Sequence, residues 1–234
     1  MRRSLLALGI AVLAIHGGSS TAAAQTLEDY DYEYLTFRGI GVDVGYIWPT
    51  KVEPAPLFGI RLDLGYLGPG VRIIPSISYW RSDFDDQELE DLAIRINQRP
   101  GSSVTAESLG PIEWSDLSFS VDGHFVWNTP FNLMTFLGAG LGFHALNGQG
   151  PAIDDTLIED LLDVISAGAS AIAGLEIQPT SRFRVYAEGR YTAMNSIQYL
   201  SARAGVQFMF GGTDPAQVGA AVPVPPLSGV GVAP

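Results

Sequence analysis

The chain has no cysteine. If it is exported, no disulfide holds it, and its stability has to come from packing and pairing alone. Charge is sparse and one-sided, with 13 Lys and Arg against 25 Asp and Glu. That balance excludes a nucleic-acid partner, because neutralising phosphates needs clustered Lys and Arg. Long apolar runs are also missing. After the N-terminal segment, nothing approaches the roughly 18 apolar residues of a membrane-spanning helix. If this protein enters a membrane, it does so with strands.

The first residues, "MRRSLLALGIAVLAIHGGSSTAAAQ", have the form of an export signal. Arg2 and Arg3 precede an apolar run from Leu5 to Ile15, and Ala22 and Ala24 fit an A-x-A cleavage site before Gln25. Residues 1–24 are therefore read as a signal peptide. Without Arg2 and Arg3, 11 basic residues face 25 acids. Residues 25–34 form an acidic, Tyr-rich leader. The length suits one domain with a real interior.

What the chain does have is period-two alternation, repeated eight times: 39–48, 58–66, 71–80, 117–127, 131–146, 170–178, 182–193 and 199–210. In "LSFSVDGHFVW", Leu117, Phe119, Val121, Phe125 and Trp127 share one face, and Ser118, Ser120, Asp122 and His124 the other. Alternation of this kind is the strand signal, and the segments are long enough for tilted membrane-crossing strands. The fold class expected is all-β, an eight-stranded antiparallel up-and-down transmembrane barrel over 35–211.

The polar faces carry Asp43, Arg61, Asp63, Arg72, Asp122, His124, His144, Glu176, Arg184, Glu188, Arg190 and Arg203. Alternation alone leaves open which face looks inward, and the aromatics decide it. Tyr46, Trp48, Tyr79, Phe143 and Tyr191 fall at one end of the apolar faces. Tyr66, Trp127, Phe131, Phe183, Phe208 and Phe210 fall at the other, with aliphatic residues and Ala between. Two aromatic girdles around an apolar band describe a lipid-facing surface, so the charges belong in the lumen. Connections such as "LGPG", "NTP" and "PTS" are short, while 82–115 and 146–168 are long. Short periplasmic turns with longer outer loops place both termini in the periplasm.

These features resemble the small eight-stranded outer-membrane barrels, a group that includes the transmembrane domain of outer membrane protein A and the opacity-type proteins. The resemblance covers about residues 35 to 211. In the last strand, Val206, Phe208 and Phe210 resemble the C-terminal aromatic signal read by the barrel-assembly machinery, which the resemblance implies as a partner. The chain continues past Phe210 into a Pro-, Ala- and Gly-rich stretch, 212–234, expected to be a disordered periplasmic tail or a docking segment for a periplasmic partner.

Three sets of residues invite chemistry. Ser120, Asp122 and His124 share one face, but same-face neighbours on one strand sit about 7 Å apart, too far for a hydrogen-bonded triad. Asp122 and His124 are instead expected to pair with lumenal arginines of neighbouring strands. "GAGLG" (138–142) lacks the spacing of a nucleotide fingerprint, and its glycines are expected to make room for Tyr186 or Arg190. The outer segments 83–99 and 153–168 combine acids with apolar spacing: Leu89, Leu92 and Ile96, and Leu157, Leu161 and Ile165. Each predicts a short amphipathic helix. Asp83, Asp85, Asp86 and Glu88 could gather weakly around Ca²⁺, although the turn glycine of an EF-hand is missing; otherwise no cofactor is expected. Divalent ions bridging the acidic loops to lipopolysaccharide phosphates are the broader expectation.

The function expected is non-enzymatic: a structural, adhesion or ligand-binding role through acidic outer loops, with outer-membrane lipid and lipopolysaccharide as surroundings. One alternative is a narrow channel or transporter for ions or small apolar solutes. The other is an enzyme modifying lipid A or phospholipid.

Overall fold

In a computed structural model, the described residues are 35–68, 70–98, 103–129, 133–151 and 162–210. Eight strands appear in chain order: β1 (Leu35–Pro49), β2 (Ala55–Gly65), β3 (Val71–Asp83), β4 (Glu113–Asn128), β5 (Leu133–Gln149), β6 (Val164–Thr180), β7 (Phe183–Met194) and β8 (Gln198–Met209). Between β3 and β4 lie two helices, α1 (Asp86–Asn97) and α2 (Ala106–Leu109). Each strand pairs antiparallel with its sequence neighbours, and β1 pairs with β8 to close the barrel. Closure satisfies every edge, the condition for placing strands in lipid.

Alternation sets the register. A slip of one residue would turn each buried charge outward, so the pairing of Asp43 with Gly205 and of Glu188 with Arg203 is specified by what the lumen accepts. The β2–β3 ladder is the short one, running from Leu57↔Trp80 to Arg61↔Ser76. It stops beside Pro75, which has no N–H to contribute. The β2–β3 turn uses Gly65, Gly68 and Gly70, all at positive φ.

Helix α1 has the predicted face, with Leu92 buried and Leu89 and Ile96 packed against the same cluster. Asp85 caps it by accepting from the Glu88 backbone N–H at 2.7 Å. The short helix α2 went unforeseen; Thr105 and Ser108 hold it in a reciprocal capping box. The second outer helix differs from expectation at its end, because residues from Val164 onward belong to β6 and Ile165 is 82% exposed on the barrel wall. Most of that segment, the N-terminal 34 residues, Phe131 and the C-terminal tail lie outside the described residues.

The interior has two chemistries. At the end carrying the long connections, an apolar cluster joins Ile47, Leu57, Trp80 and Tyr199 of the barrel mouth to Phe84, Leu92, Leu109, Ile112 and Leu162 of the loops. Below it the lumen is mainly polar and charged, with a second, small apolar cluster of Val126, Met134, Phe136 and Ile172.

Candidate functional site: a charged lumen under an apolar cap

Outside the barrel, every strand presents exposed apolar side chains, among them Val42, Ile60, Ile77, Phe119, Leu141, Leu175, Val185 and Val206. An apolar surface continuous around the circumference far exceeds the few-hundred-Å² patch of a soluble monomer and fits a hydrocarbon surrounding. Tyr46, Trp48, Tyr79, Phe143 and Tyr191 are exposed toward one end, and Trp127, Phe183, Phe208 and Phe210 toward the other. Around the second girdle the rings touch: Phe183 to Phe208 at 5.5 Å, Phe208 to Phe210 at 5.3 Å and Phe210 to Phe37 at 5.0 Å. Tyr66 does not join it and is buried. Positive φ at Gly65 breaks the alternation just before it; the Tyr66 backbone forms an isolated bridge with Arg72, and its buried ring lies under the Arg38 guanidinium.

Inside, Asp43, Arg61, Asp63, Arg72, Asp122, His124, His144, Glu176, Arg184, Glu188, Arg190 and Arg203 are all buried. Glu176 is the hub. Arg72 grips it with both terminal nitrogens, at 2.8 and 2.5 Å, Arg61 donates at 3.0 Å, and the Arg184 Nε lies at 3.5 Å. Glu188 is the second hub, with Arg203 at 2.8 Å and Arg61 and Arg190 each at 3.5 Å. Asp63 accepts from Arg184 at 2.8 Å and from Gln207 at 3.1 Å. Tyr186 donates to Asp43 at 2.8 Å, and its ring lies under the Arg61 guanidinium at 3.1 Å. Arginine suits these positions because its planar fork serves two carboxylates at once, and buried charges persist only when paired.

The network mixes pairs on neighbouring strands, such as Glu188 with Arg203, with pairs that cross the lumen. Asp122 of β4 binds both terminal nitrogens of Arg190 on β7. The expectation of arginine partners on neighbouring strands therefore fails, because inward side chains of a narrow barrel converge on its axis. His124 has no arginine hydrogen-bond partner among the described residues; it stacks on Phe136 at 4.5 Å, nearly parallel. The glycines of β5 make room for side chains other than Tyr186 or Arg190. A Cβ at Gly138 would meet the His124 ring, and one at Gly140 would strike the Asp122 carboxylate. The space Tyr186 occupies comes from Gly205 on β8.

Sequence reasoning missed Asp116, one residue before the β4 segment as it was drawn. Asp116 is fully buried and accepts from the Trp80 indole at 3.1 Å and contacts His144 Nδ1 at 2.8 Å. It shares parity with Ser118, so a longer reading of the alternation would have found it. Paired hydroxyls fill the space between this triplet and the arginines: Ser76 with Ser120 at 2.9 Å, Ser78 with Ser118 at 2.7 Å, and Ser170 with Thr192 at 3.1 Å. A cavity of about 10 Å³ among them has room for about one water.

This arrangement favours no acyl-transfer chemistry at Ser120, Asp122 and His124. Ser120 is engaged by Ser76 and Arg190, Asp122 by Arg190, and His124 by Phe136. Nor do the four loop acids gather. Asp85 caps α1, and Glu88 pairs with Arg95 at 2.7 Å and Lys51 at 3.5 Å. Among the described residues, no three His, Cys, Asp or Glu side chains meet in a metal-binding group.

No protein-family profile and no curated protein matches the chain. Solved structures do. Neisserial surface protein A matches at 14% identity and a TM-score of 0.49, over 74% of this chain and 97% of its own. Ail, the attachment invasion locus protein of Yersinia pestis, solved with the heparin analogue sucrose octasulfate, matches at 13% identity and 0.43, over 75% and 100%. The N-terminal β-barrel domain of Pseudomonas aeruginosa OprF matches at 18% identity and 0.42, over 73% and 97%. Strand count, closure, apolar exterior and charged interior together make this chain a closed eight-stranded antiparallel β-barrel with a lipid-facing wall, the fold that the small outer-membrane barrels share.

Proposed function

We propose that the barrel is a non-conducting, non-enzymatic anchor, and that its work is done by the cap and loops it holds at the cell surface. The observation that carries this reading is the filled interior. Six carboxylates and five arginines interlock below a plug of Trp80, Tyr199, Leu57 and Ile47. An eight-stranded barrel is only wide enough for side chains to fill it. The long connections face outward, the short turns and both termini face the periplasm, and the acidic loops meet lipopolysaccharide through divalent ions. Val206, Phe208 and Phe210 serve assembly, and the tail is free to meet a periplasmic partner. A structural or adhesive role follows, in which the rigid barrel holds the cap in one shape.

The test is conductance of the purified chain in planar bilayers. No stable step above the bare membrane is expected. Reproducible unitary steps would replace the anchor with a channel.

A further inference from the structure

We propose that the outer cap contains a binding pocket for a small amphiphile with a carboxylate head and an aliphatic tail. A cavity of about 330 Å³ opens between α1 and the barrel rim, walled by Phe84, Leu92, Ile96, Trp114, Leu162 and Val164. That volume lies at the lower end of small-molecule pockets, which run from about 300 to about 1,000 Å³. The Trp114 indole N–H is already donated to the Leu162 carbonyl at 3.2 Å, so the ring adds only an apolar surface. The walls select a hydrocarbon chain.

The polar groups of the pocket select the head. Lys51 and Arg95 both reach toward Glu88, which is 13% exposed against 30% and 52% for the two cations. Among the side chains that line the pocket, two cations share one carboxylate, so the lining itself carries one net positive charge. A second carboxylate completes the pairing, whereas a cationic head would meet both. The Ser196 hydroxyl also lines the pocket; its oxygen is buried, has no hydrogen-bond partner among the described residues, and can donate to the ligand's oxygen. The side of the membrane from which the ligand arrives rests on the orientation proposed above. The pocket itself does not depend on whether the lumen conducts.

The full chain is reconstituted in lipid nanodiscs and titrated calorimetrically with decanoate, with empty nanodiscs as reference. Saturable binding of one decanoate per barrel is expected, well above partition into the lipid. Lys51→Gln and Arg95→Gln, at a partly exposed and an exposed position, together weaken it at least about tenfold, the worth of one hydrogen bond to a charged group. Ile96→Trp fills the cavity and abolishes binding. The heat-modifiable gel shift checks that each variant is folded; if Ile96→Trp fails that check, the two cation variants decide. Uptake no greater than that of empty nanodiscs overturns the proposal, as does decyltrimethylammonium binding as tightly as decanoate. A barrel that conducts ions would alter neither outcome, so failure here and failure of the anchor reading are distinguishable.

Discussion

Replacing Glu176 by Gln removes the charge on which three arginines converge, and the consequences differ for each. Arg61 retains Glu188 at 3.5 Å, and Arg184 retains Asp63 at 2.8 Å. Among the described residues, Arg72, completely buried, is left with Asp63 at 4.0 Å as its carboxylate. Removing one partner of a buried ion pair costs about 3–5 kcal/mol, because the other charge stays desolvated. Glu176→Gln is therefore expected to destabilise the barrel by about that amount in reversible urea unfolding from lipid vesicles, followed by tryptophan emission. With Arg72→Met as the other single change, the double variant Arg72→Met/Glu176→Gln removes both charges and is expected to recover most of the loss, leaving a coupling of about 2 kcal/mol or more in the cycle. Additive single changes, or a Glu176→Gln cost below about 1 kcal/mol, the scale of a solvent-exposed pair, would refute the picture of a dry network.

Three further outcomes follow from the same geometry. Gly140→Ala places a methyl against the Asp122 carboxylate and should cost about 1–3 kcal/mol in that unfolding assay; Gly189→Ala, whose Cβ meets nothing within 4 Å, should be nearly neutral. In single-tryptophan variants, brominated lipid should quench the lipid-facing Trp48 and Trp127 while Trp80 and Trp114, 1% and 4% exposed, stay shielded; equal quenching of all four would reverse inside and outside. Asp85→Ala removes the cap of α1 and should cost about 0.5–2 kcal/mol locally, read as faster amide exchange along Asp86–Asn97 with the barrel strands unchanged.

The two halves of the interior divide the work of stability. Hydrophobic burial cannot hold the outer wall, since lipid solvates it as well as any protein core would. The apolar cap at the mouth that carries the long connections is an exception: Trp80 against Tyr199 at 6.0 Å and Phe84 against Trp114 at 5.4 Å are contacts made where water would otherwise enter. That is why aromatics gather at these strand ends and at Phe84, beside an otherwise acidic connection.

Strand count, strand facing and the charged character of the lumen were legible in the sequence, because each depends on a period of two read locally. Leu117 and Asp122 could be assigned to opposite sides without knowing any partner. The face of α1 was legible for the same reason, from the spacing of Leu89, Leu92 and Ile96. Tyr66 was not, because one positive-φ glycine reverses parity and Gly65 carries no mark distinguishing it from Gly59 or Gly45. Nor was it visible which arginine meets which acid. Arg72 and Glu176 are 104 residues apart, and Asp122 and Arg190 are 68 apart. Their meeting depends on the shear of the closed barrel, which fixes the height at which each inward side chain reaches the axis. The pocket beneath α1 is a tertiary product of the same sort. Lys51, Arg95, Trp114 and Ser196 come from four separate connections and strand ends, and only barrel closure brings them to one rim. Alternation along the chain determined what faces lipid and what faces the lumen; closure alone decided which charges pair and where a cavity is left, since both are properties of strands that are distant in sequence and adjacent in space.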